Sequence, residues 1–159
     1  MIIKNFITYN PIVISPSTTF LEIVNKFFEY HFDILPVVNT KHHLIGVISK
    51  ADLIKIFIPK YFDLLDDLSF VKDFGALEID EKHIELIKNL FIAHDLMTIN
   101  VITVEEETTL LKAITLMVKN HIRCLPVLKE KKLIGVISKK DILKIFFNKE
   151  NIQKRENIL

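Results

Sequence analysis

The sequence is poor in the residues from which several kinds of functional site are built. It contains one cysteine, Cys124, which excludes an internal disulfide framework and suits a reducing compartment. Only 3 glycines are present, and they form no Walker loop, GxGxxG motif or nucleophile elbow. The formal net charge is +1, so no overall field favours a nucleic acid or an acidic membrane surface.

Long hydrophobic runs and metal-ligand patterns are also lacking. No apolar stretch approaches the ~20 residues that span a bilayer, and the first residues show no hydrophobic signal segment. No cysteine, histidine or carboxylate set has metal-ligand spacing, so we expect no metal and no required cofactor. From the lack of a membrane span and the single cysteine we expect a soluble cytoplasmic protein. Because no catalytic constellation is identifiable, we expect that it is not an enzyme.

An internal repeat dominates what the sequence does contain. The heptapeptide LIGVISK occurs at residues 44–50 and again at residues 133–139. A Leu-Pro-Val triplet precedes each copy, at residues 35–37 and 125–127. Chance does not produce such a collinear match, so the chain is a duplication. Hydrophobic residues make up 50% of the chain, enough to bury a core.

Each copy shows the same order of predicted elements. The β-branched runs at residues 12–14 and 101–104 predict a first strand. The Thr-Thr pairs at residues 18–19 and 108–109 predict the N-cap of a helix with apolar residues at helical spacing. Two apolar strands joined by a polar turn follow, and then a helix that begins at a Ser-x-x-Asp motif. The predicted unit is β-α-β-β-α.

One unit alone would bury too little surface, so we expect an α/β fold in which two units pack about a pseudo-two-fold axis. The predicted division of the chain is repeat 1 at residues 1–57, a partly helical insert at 58–95, repeat 2 at 96–147 and a C-terminal tail at 148–159.

The insert contains an amphipathic pattern at residues 80–93, with Ile84, Ile87, Leu90 and Phe91 on one side of a predicted helix. Packing over the module or closing a dimer is the simpler interpretation. Docking of a partner protein is the alternative.

Taken together, the motifs resemble the cystathionine β-synthase (CBS) domain family, arranged as the CBS pair known as a Bateman module. They are Leu-Met-Thr at residues 96–98, Thr-Thr-Leu at 108–110, Leu-Pro-Val at 125–127 and Gly-Val-Ile-Ser at 135–138, followed by Asp141. The first copy repeats the later motifs. The resemblance implies two symmetry-related clefts that often bind AMP, ADP, ATP or S-adenosylmethionine, and pairing of two modules into a homodimer.

The resemblance also implies which residues form each cleft. Cleft A would use Thr8, Val13, Asp33, Ile34, Ser138, Lys139 and Asp141. Cleft B would use Thr98, Thr103, Arg123, Cys124, Ser49, Lys50 and Asp52.

The residue types in these clefts suit a nucleotide. An ionised aspartate can accept two hydrogen bonds from a ribose diol, and a serine at a helix N-terminus suits a phosphate. Lysine and arginine supply counter-charge. Apolar side chains can sandwich an adenine, and the candidates are Ile12, Ile34, Ile102 and Ile122.

Each residue also has an ordinary structural interpretation. Asp52 and Asp141 could be first-turn helix residues, and Ser49 and Ser138 could be only N-caps. Arg123 could be solvated, and Cys124 a small core residue. The aligned residues His31 and His121 could cap helix carbonyls or lie at a cleft edge.

The two clefts are not equivalent in charge. Where cleft B has Arg123, cleft A has Asp33, which would repel phosphate; where cleft B has Thr103, cleft A has Val13. Cleft B is therefore the better candidate for a phosphorylated ligand.

Three functions follow as hypotheses. The first is a nucleotide sensor that controls a protein target in trans. The second is a ligand-free dimerisation scaffold. The third and weakest is nucleic-acid binding through a modest basic cluster near the C-terminus.

Overall fold

The order of helices and strands repeats along the chain. The computed structural model describes residues 1–58 and 79–144. The first repeat contains β1 (Thr8–Tyr9), α1 (Phe20–Glu29), β2 (Ile34–Val38), β3 (Leu44–Ser49) and α2 (Lys50–Lys55). The segment between the repeats contributes α3 (Glu81–Leu90) and α4 (Ala93–Leu96). The second repeat contains β4 (Val104–Glu105), α5 (Leu110–Lys119), β5 (Cys124–Lys129), β6 (Lys132–Ser138) and α6 (Lys139–Leu143). The predicted α/β fold with two repeated units is confirmed.

The first helix of each repeat begins at the predicted threonine. The Thr19 hydroxyl accepts the Glu22 N–H at 3.4 Å, and the Glu22 carboxylate accepts the Thr19 N–H at 2.8 Å, which forms a capping box for α1. Thr109 caps α5 by accepting the Lys112 N–H at 3.3 Å. Each cap satisfies an N–H that would otherwise have no partner in the helix.

The two sheets follow the same plan. The sheet of the second repeat has the strand order β1-β6-β5-β4, in which β1 comes from the first repeat; β5 and β6 are antiparallel, and β4 is parallel to β5. In the first repeat β2 and β3 form the matching antiparallel hairpin. Single bridges replace the outer strands there: Ile14 pairs with Val37 in parallel, and Val47 pairs with Thr98 antiparallel.

The predicted first strands are much shorter in the structure. Of residues 12–14 only Ile14 pairs, through hydrogen bonds with the backbone of Pro36 and Val38. Of residues 101–104 only Val104 enters a strand. A strand needs a hydrogen-bonded neighbouring strand as well as β-branched residues, and only the last residue of each run lies beside one.

The two repeats exchange segments, so that each core is completed by the chain that precedes the other repeat. Ile3 is fully buried in the core of the second repeat, and its N–H donates to the Thr108 carbonyl at 2.9 Å. Ala93 and Leu96 are buried in the core of the first repeat, and the Ala93 N–H donates to the Thr18 carbonyl at 2.8 Å. These contacts make the pair a single packed unit.

The insert is described only in part. Helix α3 begins after its N-cap Asp80 and ends at Leu90, three residues earlier than the pattern at residues 80–93 predicted. Ile87 packs against the first core together with Phe91, whereas Leu90 is exposed. The rest of the predicted insert up to residue 78 and the tail at 148–159 lie outside the described residues. The predicted domain boundaries stay a prediction.

Candidate functional site

A cavity of about 690 Å³ lies between the two repeats. The junction of β3 and α2 forms one part of its wall, and the loop between α5 and β5 forms another. The extended chain at residues 98–102 and the start of β2 complete the wall. A volume of this size is within the range of small-molecule sites in proteins, which is roughly 300–1,000 Å³.

Most of the residues predicted for cleft B line this cavity. They come from positions far apart in the sequence and are Ser49, Lys50, Asp52, Thr98, Arg123 and Cys124. The tertiary structure therefore brings together hydroxyl, carboxylate, ammonium and guanidinium groups from both repeats.

Thr103 does not line the cavity, which differs from the sequence prediction. It lies in a separate depression of about 520 Å³ with Glu105, Lys112 and Lys131. Its neighbour Ile102 lines the main cavity, and successive side chains of an extended backbone point in opposite directions. Thr103 therefore faces away from the predicted site.

The residues predicted for cleft A do not all line this cavity. Asp33 and Ile34 line the main cavity with the cleft-B residues, because the starts of β2 and β5 both border it. Thr8 pairs with Val136 at the β1–β6 edge. The remaining cleft-A residues do not line the cavity, and they are Val13, Ser138, Lys139 and Asp141.

Both Ser-x-x-Asp motifs form capping boxes. The Asp52 Oδ2 atom accepts the Ser49 N–H at 2.7 Å and its hydroxyl at 2.6 Å, and Asp52 lies in the first turn of α2. Asp141 accepts from Ser138 in the same way at 3.0 and 2.6 Å. The helix-capping interpretation of these residues is thus confirmed. The capping hydrogen bonds occupy one carboxylate oxygen, Oδ2, of each aspartate.

The second carboxylate oxygen distinguishes the two aspartates. Asp52 Oδ1 has a long contact of 3.4 Å with the Thr98 hydroxyl at the cavity wall. Asp141 Oδ1 instead accepts a 2.7 Å hydrogen bond from the Lys144 ammonium group. Burial raises the pKa of Asp141, but the hydrogen bonds from Lys144 and Ser138 outweigh it and hold that pKa below its usual value. The ionised Asp141 carboxylate is therefore paired with Lys144, the residue that follows α6.

The backbone of the α5–β5 loop fixes the residues before Arg123. Asn120 ends α5, and His121 adopts a left-handed conformation with φ 55°. The His121 N–H donates to the Val118 carbonyl and the Ile122 N–H to the Met117 carbonyl, which is a Schellman motif. His121 both caps the helix through its backbone and lines the cavity, so both sequence interpretations describe it.

The apolar lining matches three of the four isoleucines proposed for an adenine. Ile34, Ile102 and Ile122 line the cavity, whereas Ile12 packs against the first core. Asn100, Asn120 and Ile54 also line the cavity, and no motif in the sequence indicates them. Each nevertheless lies within three residues of a predicted site residue in the sequence.

Cys124 is a buried cavity residue with an un-ionised thiol. Burial, followed by the negative charges of Asp33 and Asp141, raises its pKa from 9.0 to about 12. A thiol in this state is a poor nucleophile, which supports its interpretation as a small core residue.

Within residues 1–58 and 79–144, no group of three or more His, Cys, Asp or Glu residues is arranged to hold a metal ion. None of the helices described in these ranges has the length and apolar character needed to cross a membrane.

Comparisons with known proteins agree with the repeat and its arrangement. The family model for the CBS domain matches residues 3–58 and 92–148. The chain therefore belongs to the CBS domain family, and its two matched stretches form a tandem pair.

Particular relatives cover nearly the whole chain. Protein MJ1426 of Methanocaldococcus jannaschii is 32% identical over 152 residues, which cover 90% of this chain and 89% of the relative. The crystal structure of CBSX2 in complex with AMP is similar with a TM-score of 0.68 at 24% identity, covering 91% of this chain and 95% of that one. The CBS domain pair of protein MJ0100, in complex with 5′-methylthioadenosine and S-adenosyl-L-methionine, has a TM-score of 0.67 at 19% identity and covers 92% and 95%.

Proposed function

We propose that this chain is a regulatory module that binds one adenosine-type ligand in the cavity between its repeats. The observation that carries the proposal is the convergence of Asp52 and Thr98 with Lys50 and Arg123 on one cavity. A carboxylate and a hydroxyl suit a ribose diol, and two cations suit a phosphate or carboxylate group.

The apolar part of the same cavity suits the base. Ile102 and Ile122 come from the second repeat and Ile34 from the first, so a planar ring between them would contact both repeats. The neighbouring structures that contain AMP, 5′-methylthioadenosine or S-adenosyl-L-methionine support an adenosine-type ligand for this fold.

The predicted cleft on the other side of the pseudo-two-fold axis is a weaker candidate. Lys144 is hydrogen-bonded to the Asp141 oxygen that a ribose would need, and Asp33, which the resemblance assigns to that cleft, lines the main cavity instead. We therefore propose one ligand for each chain. The ligand acts as a regulator and not as a cofactor of a reaction that this chain catalyses.

The ligand would regulate the relative packing of the two repeats, because both repeats line the cavity. A ligand that binds better to one relative packing of the repeats shifts the population toward it. We propose that a protein target reads this change in trans, in a cytoplasmic setting that agrees with the single buried thiol.

A homodimer is part of the proposal. Equivalent positions on the first helices of both repeats expose apolar side chains: Leu21 and Phe28 on α1, and Leu111 and Val118 on α5. Phe28 is 81% exposed and Leu111 is 74% exposed, so a single chain leaves a costly surface in water. Light scattering should show a dimer that Phe28→Ser or Leu111→Ser weakens, whereas Leu86→Ser on α3 leaves it intact.

The ligand is tested by thermal unfolding with AMP, ADP, ATP, S-adenosylmethionine, NAD and GTP. A ligand at ~100 times its dissociation constant adds about 2.7 kcal/mol to the free energy of unfolding. Asp52→Ala should abolish the shift and Asp141→Ala should preserve it. Since each variant loses the same kind of capping box, every shift is measured against the same variant without ligand.

Other outcomes would select another function. No shift with any ligand, together with an intact dimer, would favour the scaffold. Loss of the shift in Asp141→Ala alone would move the site to the other side of the axis. Salt-sensitive retention on DNA or RNA would favour nucleic-acid binding.

A further inference from the structure

We propose that Asp33 limits the negative charge of the ligand, so that the cavity prefers an adenosine ligand with one phosphate or none over a triphosphate. This inference rests on the proposed function and concerns which member of the ligand class binds. It makes Asp33 a specificity-determining residue.

Asp33 and Arg123 occupy equivalent positions in the two repeats. Each is the residue immediately before the central hairpin, at the start of β2 or of β5, and both line the same cavity. The duplication therefore places one acid and one base at symmetry-related points of one wall. The resemblance assigns the two residues to different clefts, so the sequence does not show that their opposite charges share one cavity.

The loops that carry these residues have different backbone shapes. In the second repeat the Schellman motif at His121 sets the path toward Arg123, and the Arg123 carbonyl accepts the Lys139 N–H at 3.0 Å. In the first repeat α1 ends at Glu29, and the C-cap residue Tyr30 is extended, with its ring stacked on Phe32 and the centroids 5.2 Å apart. Both charges are therefore held on ordered loops, by different local contacts.

Neither charge is neutralised by a neighbour within residues 1–58 and 79–144. No side chain of those residues forms an ion pair with Asp33 or with Arg123. The negative charge of Asp33 still acts on the cavity wall, since it contributes to the raised pKa of Cys124. Both side chains are exposed at the cavity and available to a ligand.

The charges of the cavity balance. Lys50 and Arg123 supply two positive charges, and Asp33 and Asp52 supply two negative charges. Asp52 holds its place through the capping box, so it is a fixed part of the helix start. Asp33 caps neither α1 nor α2, so its charge faces the cavity without a part in holding a helix start. Each phosphate beyond the first adds repulsion that the two cations do not offset.

Asp33→Asn tests this inference by isothermal titration with AMP and ATP in EDTA at low salt. At a separation of about 8 Å in a water-like medium, one charge acting on two extra phosphate charges changes affinity by roughly fivefold. The wild-type chain should bind AMP more tightly than ATP. Asp33→Asn should strengthen ATP binding roughly fivefold more than AMP binding, and Asp33→Arg should extend the same trend.

Two further variants control the measurement. Glu81→Gln removes an equal charge at the exposed start of α3, outside the cavity, and should leave the AMP-to-ATP ratio unchanged. Arg123→Gln should shift the ratio further against ATP.

The two proposals fail in distinguishable ways. If AMP binds but Asp33→Asn and Asp33→Arg leave the ratio within twofold of wild type, Asp33 is not the discriminator and the nucleotide site remains. A wild-type preference for ATP would also overturn the inference without overturning the site. If no adenosine ligand binds to the wild-type chain, both proposals are wrong.

Discussion

The backbone N–H of Ile3 donates a 2.9 Å hydrogen bond to the carbonyl of Thr108, more than a hundred residues further along the chain. The Ile3 side chain is fully buried in the core of the second repeat. The corresponding segment before the second repeat packs into the first, where Ala93 and Leu96 are buried. Because the exchange is reciprocal, the free energy of unfolding belongs to the pair of repeats.

Ile3→Ala should destabilise the whole chain through the second core. Removing a buried isoleucine side chain costs about 2–4 kcal/mol, and urea unfolding should remain a single transition with a lower midpoint. Ile99→Ala is the matched control, because Ile99 is 68% exposed. Separate transitions for the two repeats would contradict a shared core.

Gly135→Ala should be more destabilising than Gly46→Ala. A Cβ at Gly135 would clash with Ile7 Cγ2 and lie 2.9 Å from the Thr8 carbonyl oxygen, and backbone cannot easily move away. At Gly46 the three atoms nearest to an added Cβ all belong to the Met97 side chain, with Sδ at 2.6 Å, and methionine is flexible. We expect roughly 2–3 kcal/mol at Gly135 and about 1 kcal/mol at Gly46.

A double substitution checks the cause of the Gly46 effect. Met97→Ala should remove most of the additional cost of Gly46→Ala, whereas it should leave the cost of Gly135→Ala unchanged. Independent, additive effects at Gly46 and Met97 would contradict the contact.

Lys144→Met should lower stability at neutral pH and much less in acid. The hydrogen bonds from Lys144 and Ser138 depress the pKa of Asp141, so its stabilising contribution is present above the ordinary aspartate pKa of 3.8. It is lost as the pH falls through the depressed value. Since Lys144 is largely exposed, we expect about 0.5–1 kcal/mol at pH 7.

Lys140→Met, on the same helix without an ion pair to Asp141, is the control for that experiment. Urea unfolding of the wild type and of both variants at pH 7 and pH 3 gives the comparison. Equal losses for Lys144→Met and Lys140→Met at pH 7 would show that the ion pair contributes nothing.

The Cys124 thiol should react slowly with iodoacetamide in the folded protein. At pH 8 a pKa of about 12 in place of 9.0 lowers the thiolate fraction roughly a thousandfold. Because the unfolded thiol ionises first, stability should also fall as the pH rises from 9.0 towards 12. Labelling in the presence and absence of urea measures the difference. A folded rate within tenfold of the unfolded rate would contradict the buried, un-ionised thiol.

Local signals in the sequence predicted the fold well. The duplicated LIGVISK segment becomes β3 and β6 with the start of the following helices, and Thr19 and Thr109 cap the helices that their positions indicated. Capping and hydrophobic period depend on neighbours within a few residues, so the sequence contains them directly. The strands at residues 12–14 and 101–104 were overestimated, because pairing depends on a distant partner.

The candidate site divides in the same way. The sequence alone determined the repeat and the Ser-x-x-Asp helix starts, and its resemblance to the CBS family implied six of the residues that line the cavity. Only the tertiary structure decided that Thr103 faces away from the main cavity, that Lys144 forms an ion pair with Asp141, and that Asp33 and Arg123 line the same cavity. Side-chain direction and the meeting of distant segments follow from how the two repeats pack, and no short stretch of sequence contains that information.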